Sequence, residues 1–96
     1  MKFSCHVQTR INDYRIAKDL EDWGYDACWF PDTQMMWSDC YATMALAAQC
    51  TSRIHIGTGV AITGTRIAPV TAHSIATINA LAPGRVVHGL GTGHTA

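Results

Sequence analysis

The sequence predicts a parallel α/β fold whose helices cover one face of a curved sheet, as in a segment of a barrel. Three observations carry this expectation. Apolar strand-like runs alternate with helical periodicity in the order β-α-β-α-β-α-β, which implies a parallel sheet with right-handed crossovers. A parallel sheet needs both faces covered, and three helices over four strands cover an open sheet poorly. The last strand-like run is not followed by a helix, so the reading is of an incomplete domain.

The elements follow in order. Lys2 to Gln8 alternates, with Phe3, Cys5 and Val7 on one side, and reads as a strand. Asn12 or Asp13 can cap a first helix over residues 13–23, in which Ile16, Leu20 and Trp23 recur at helical spacing. Gly24 suits the left-handed position after its end. Tyr25 to Phe30 is a short aromatic run stopped by Pro31, a buried strand. Asp39 caps an alanine-rich helix from Cys40 to Cys50. Ile54 to Val60 reads as a third strand carrying Gly57 and Gly59, followed by a loop from Ala61 to Pro69. A third helix spans Val70 to Leu81, with Ile75, Ile78 and Leu81 on one face, until Pro83-Gly84 stops it. Arg85 to Gly91 is the fourth strand.

Composition removes several classes. Apolar residues make up 48% and charged residues 15%, which excludes disorder. The long uncharged stretches are broken by Gln49, His73 and Asn79, so a membrane span is not expected, and the start lacks the apolar core of an export signal. The formal charge is zero, so nucleic acid finds no electrostatic footprint. All seven carboxylates precede Cys40, whereas residues 40–96 carry only Arg53, Arg66 and Arg85. That asymmetry fits either an anionic ligand or a mostly buried segment. The four cysteines form no C-x-x-C pair, so free thiols in a reducing, cytoplasmic compartment are expected. Cys40, Cys50 and His55 match no zinc spacing, and no metal site is expected.

Three segments resemble the luciferase-like, flavin- or deazaflavin-dependent oxidoreductases, a superfamily that includes methylenetetrahydromethanopterin reductase-like enzymes. The first is Gly24-Tyr25-Asp26-Ala27-Cys28-Trp29-Phe30-Pro31-Asp32. The second is Thr51-Ser52-Arg53-Ile54-His55-Ile56-Gly57-Thr58-Gly59-Val60, with Arg66 downstream. The third runs from Ala76 through Pro83-Gly84-Arg85 to Gly89-Leu90-Gly91-Thr92-Gly93. The resemblance implies that residues 1–96 are the N-terminal part of a TIM (β/α)8 barrel: three βα units and a fourth strand. It implies a reduced-FMN monooxygenase or a deazaflavin (coenzyme F-420) reductase or dehydrogenase. It further implies a small-molecule substrate, no nucleic-acid or membrane partner, and room for a homo-oligomer of the full-length protein.

Barrel chemistry gathers at the C-terminal ends of strands, which directs attention to Pro31-Asp32-Thr33, Gly59-Val60-Ala61 and Thr92-Gly93-His94. Asp32 is a cofactor-binding candidate that can accept from a ring N–H; its alternative is a local turn after Pro31. Some deazaflavin enzymes of the family have His after this Asp, where this chain has Thr33. Gly59 and Val60 are cofactor-binding candidates at a strand bulge. There the resemblance implies a cis Gly59-Val60 peptide beneath the ring, against a trans bulge with Gly59 at positive φ. Gly57 and Gly59 can equally accommodate a bulky neighbour such as Trp29. Thr63, Thr92 and Gly93 complete the cofactor-binding set, and Thr65 can also reach ring oxygens. His94 is the catalytic candidate, an acid/base that titrates near neutrality. Arg66 can meet a phosphate or pair with an early Asp. Met35, Met36 and Trp37 either line a pocket or cover the barrel mouth. Gly91-x-Gly93-x-x-Ala96 matches a loose dinucleotide fingerprint, which keeps open a small non-catalytic α/β module that binds a nucleotide or a protein.

Overall fold

The computed structural model describes residues 1–93. Four strands, β1 (Ser4–His6), β2 (Ala27–Phe30), β3 (His55–Ile62) and β4 (Val86–Gly91), alternate with α1 (Ile16–Asp22), α2 (Cys40–Cys50) and α3 (Ala68–Leu81). All neighbouring strands are parallel, in the order β1-β2-β3-β4.

The register sorts the side chains into two faces. Cys5, Cys28, Ile56 and Val86 lie opposite one another across the sheet. Cys28, Ile56 and Phe30 join Ala17 and Leu20 of α1, Met44 and Ala47 of α2, and Ile78 of α3 in one buried core. The other row is His6, Trp29, Gly57 and Val87, and here His6 and Val87 are exposed. Among the described residues, the helices therefore bury one face of the sheet and leave the other open.

Gly57 explains how the open face packs. A Cβ there would run into the Trp29 ring and lie 2.6 Å from the Val87 carbonyl oxygen. The β3–β4 register then shifts between Thr58 and Ala61. The Gly59–Val60 peptide at this bulge is cis, and Gly59 is not a positive-φ residue.

Helix ends follow local chemistry unevenly. Asp39 caps α2 as expected: its Oδ2 accepts from the Ala42 N–H at 2.8 Å. Gly24 takes a φ of +92° after α1. The start of α1 differs from the expected cap. Ile11–Asp13 forms a separate 3-10 turn, and neither Asn12 nor Asp13 caps the helix. Trp23, expected on the apolar stripe, is the residue that closes α1 and is 68% exposed. α3 starts earlier than expected, at Ala68, because Pro69 sits in its first turn, where a missing N–H costs nothing. On its stripe Ile78 is buried but Leu81 is exposed.

One buried carboxylate ties the layers together. Glu21 Oε2, at the end of α1, accepts from the backbone N–H groups of Ser52, Arg53 and Ile54 at 3.0, 2.6 and 2.9 Å. Burial raises its pKa, but these three donors and Lys18 outweigh that and hold it below the ordinary value. Composition offers no hint of this clamp, since Glu21 reads as one of seven acidic residues in a polar segment.

Candidate functional site

The strand exits converge because each is tied to its neighbour. The buried Thr9 hydroxyl donates to the Pro31 carbonyl at 2.6 Å, which joins the chain after β1 to the exit of β2. Asp32 grips β3 in the bulge and just beyond it. Its N–H donates to the Val60 carbonyl at 3.3 Å, and its Oδ2 accepts from the Ile62 N–H at 2.9 Å.

A cleft of about 400 Å³ opens at these ends, lined by His6, Pro31, Asp32, Thr33, Gly59, Val60, Thr92 and Gly93. Five of the six cofactor-binding candidates, Asp32, Gly59, Val60, Thr92 and Gly93, thus share one wall. Thr63 does not line it; it is exposed, and its N–H donates to the Gly91 carbonyl at 3.0 Å. His94, the catalytic candidate, lies outside the described residues.

Asp32 is not engaged in a local turn. It is buried, and Arg66 Nη1 also reaches its Oδ2 at 3.3 Å. Oδ1 has no hydrogen-bond partner among the described residues and remains able to accept from a ligand N–H. Arg66 donates through Nη2 to Asp39 at 2.6 Å and lies 4.6 Å from the Tyr41 ring centroid. Burial disfavours the Arg66 cation, but Asp32 and then Asp39 outweigh it and raise its pKa. Arg66 therefore meets carboxylates here, the second of its two expected roles. Behind it, Tyr41 Oη contacts His88 Nε2 at 3.0 Å; burial pushes the phenol up to about 12 and the imidazole down.

Beside the main cleft lies a smaller one of about 290 Å³, lined by Thr33, Met35, Trp37, Thr65 and Arg66 among others. Met36 is largely exposed and lines neither. No group of three or more metal-ligating side chains occurs among the described residues, and no helix there is long and apolar enough to cross a membrane.

Gly91, which ends β4, and Gly93 just after it pack closely on β3. A Cβ on Gly91 would lie 2.8 Å from Val60 Cγ2, and one on Gly93 2.8 Å from Ile62 Cγ1. They let the β3 side chains lie against the β4 backbone, so Val60 forms part of the cleft floor. Sequence reasoning missed His6. Alternation puts His6 on the face opposite Cys5, but only the fold ends β1 at His6 and brings its ring beside Gly59.

Comparison with known proteins agrees with this geometry. The family model for luciferase-like monooxygenases matches residues 9–96. The chain is 40% identical over 80 residues to a 5,10-methylenetetrahydromethanopterin reductase of Methanolobus tindarius, covering 83% of this chain and 24% of that protein. It is 39% identical over 86 residues to an F420-dependent glucose-6-phosphate dehydrogenase of Kineococcus radiotolerans, covering 81% of this chain and 26% of that protein. Among solved structures it superposes on the coenzyme F420 dependent tetrahydromethanopterin reductase from Methanopyrus kandleri with a TM-score of 0.86 at 27% identity, over 97% of this chain and 27% of that one. The chain thus spans about a quarter of the length of the curated relatives it matches. Its four-stranded sheet is a partial TIM barrel. The chain belongs to the luciferase-like monooxygenase family.

Proposed function

We propose that these residues form the N-terminal portion, as one partial domain, of a deazaflavin-dependent oxidoreductase acting on a small molecule. The strand-end cleft is one wall of its cofactor site. The observation that carries this reading is the convergence of Asp32, Gly59, Val60, Thr92 and Gly93 on one cleft. A flavin or deazaflavin ring presents a flat apolar face and a polar edge. Val60, 39% exposed, suits the face. The free Oδ1 of Asp32 and the hydroxyls of Thr33 and Thr92 suit the edge. Coenzyme F420 is preferred to FMN because the relatives' names specify it. The free cysteines Cys5, Cys28, Cys40 and Cys50 accord with a reducing, cytoplasmic setting.

When bound, the deazaflavin supplies hydride chemistry. The residues of this chain bind and orient it. Asp32 has two duties: Oδ2 holds Ile62 and Arg66 in place, and Oδ1 is left for the ligand. Thr33 brings a hydroxyl where a histidine would have brought an ionisable ring, so proton delivery falls to other residues. The open sheet face cannot exclude water, so we expect the 96-residue chain to bind cofactor without turning over substrate. Titration with oxidised coenzyme F420 and with FMN, followed by fluorescence, tests the reading. Saturable F420 binding that weakens in Asp32→Ala is expected. Absence of binding of either ring would overturn it.

A further inference from the structure

Among the described residues, the cleft has two ionisable side chains in its lining, Asp32 and His6. Asp32 is engaged through Oδ2 with the Ile62 N–H and Arg66. The His6 imidazole has no hydrogen-bond or ion-pair partner among the described residues, and the residue is exposed. Its ring lies over the bulge: Nε2 is 2.6 Å and Cδ2 3.1 Å from the point where a Cβ on Gly59 would stand. Glycine at position 59 is therefore what lets this imidazole rest against the β3 backbone beside Val60. A polar ring held there, with no internal partner, costs nothing in desolvation while the cleft is open. It becomes an unsatisfied group once something covers it, unless the covering molecule offers an acceptor.

We propose that His6 is a ligand-contacting residue of this cleft, whose ring N–H donates a hydrogen bond to a carbonyl oxygen of the pyrimidinedione ring shared by flavins and deazaflavins. This rests on the cofactor reading of the cleft. The imidazolium donates more strongly than the neutral ring, because charge-assisted hydrogen bonds are about twice as strong. The other groups around His6 are few. β2 contributes Trp29 and, past its end, Asp32 across the cleft; β3 contributes Gly59 and Val60; Thr92 and Gly93 follow β4. Cys5 belongs to the opposite face. Asp32 is thus the one described carboxylate lining the same cleft.

Ligand binding should raise the His6 pKa. The extra affinity is then complete below the free-state pKa and is lost as pH rises through the ligand-bound one. We expect the chain to bind about tenfold more tightly near pH 5.5 than near pH 8.5, the gain of one charge-assisted donor over a neutral one. The experiment is an NMR pH titration of the imidazole Hε1 resonances with and without saturating coenzyme F420, and in parallel with FMN. The His6 signal is assigned by its disappearance in His6→Gln. An upward shift of the His6 midpoint with either ring supports the proposal, and the ring that produces it identifies the cofactor. In His6→Gln the pH dependence of the F420 dissociation constant should flatten. In Gly59→Ala, where the new Cβ displaces the imidazole, the midpoint shift should shrink although His6 is retained. If F420 or FMN binds and the His6 midpoint does not move, the assignment of His6 is wrong while the cofactor reading stands. If neither ring binds, the cofactor reading fails and takes the His6 role with it.

Discussion

Replacing Glu21 should cost more than its place in a polar helix suggests, and the structure lets the cost be worked out donor by donor. Oε2 serves three backbone N–H groups. Ser52 and Arg53 are exposed, whereas Ile54 is fully buried. In Glu21→Ala, water can reach the first two donors, so each costs a few tenths to about 1 kcal/mol. The Ile54 N–H is left unsatisfied, at about 1–3 kcal/mol. The sum is about 2–5 kcal/mol, large against the roughly 5–14 kcal/mol of a complete domain of this length. Glu21→Gln keeps an acceptor for Ile54 and loses only the charge, about 1–1.5 kcal/mol. The pH dependence has a definite sign. The folded-state pKa lies below the ordinary 4.5, so the stabilisation is complete above about pH 4.5 and is lost as pH falls through the lower folded value. Urea unfolding of the parent and both variants, repeated from neutral pH down to about pH 3, measures all of this. Equal losses for Gln and Ala, or a loss below about 1 kcal/mol for Ala, would show that the clamp does not act as argued. An acid dependence that survives in Glu21→Gln would assign it to another carboxylate.

Three further outcomes are expected. Gly57→Ala should lower stability by roughly 1–3 kcal/mol, because the Val87 carbonyl 2.6 Å from the new Cβ is backbone and cannot swing aside; an unchanged thermal midpoint would mean that the sheet yields there. The 96-residue chain should self-associate through the unpaired edge of β4 and its exposed Val87 and Leu90, and a concentration-independent monomer in analytical ultracentrifugation would contradict this. Iodoacetamide should label Cys5 and Cys50 well before Cys28 and Cys40, which are buried with thiols pushed up to about 12; peptide mass mapping over time gives the order.

The order of strands and helices, the Asp39 cap and the Gly24 stop could all be read from the chain itself. Each depends on a residue's own geometry or on periodicity over a few neighbours. The same holds for the pull of Asp32, Gly59, Val60, Thr92 and Gly93 toward one end of the sheet, since parallel strands bring their C-terminal ends together. Where contacts span many residues, sequence periodicity is silent. Trp23 keeps helical spacing yet closes the end of α1 and is exposed. Glu21 looks like solvated charge until the start of β3 arrives with three N–H groups aimed at it. Arg66 can serve a phosphate or a carboxylate until Asp32 and Asp39, on two different segments, close around it. His6 carries no local mark of a site, and becomes a cleft residue only because Gly59, 53 positions later, has no side chain to keep its ring away. Local patterns thus carry the elements and the strand ends at which the candidate residues sit. Which polar groups are used up in holding the sheet together depends on distances between segments, and no local pattern encodes those.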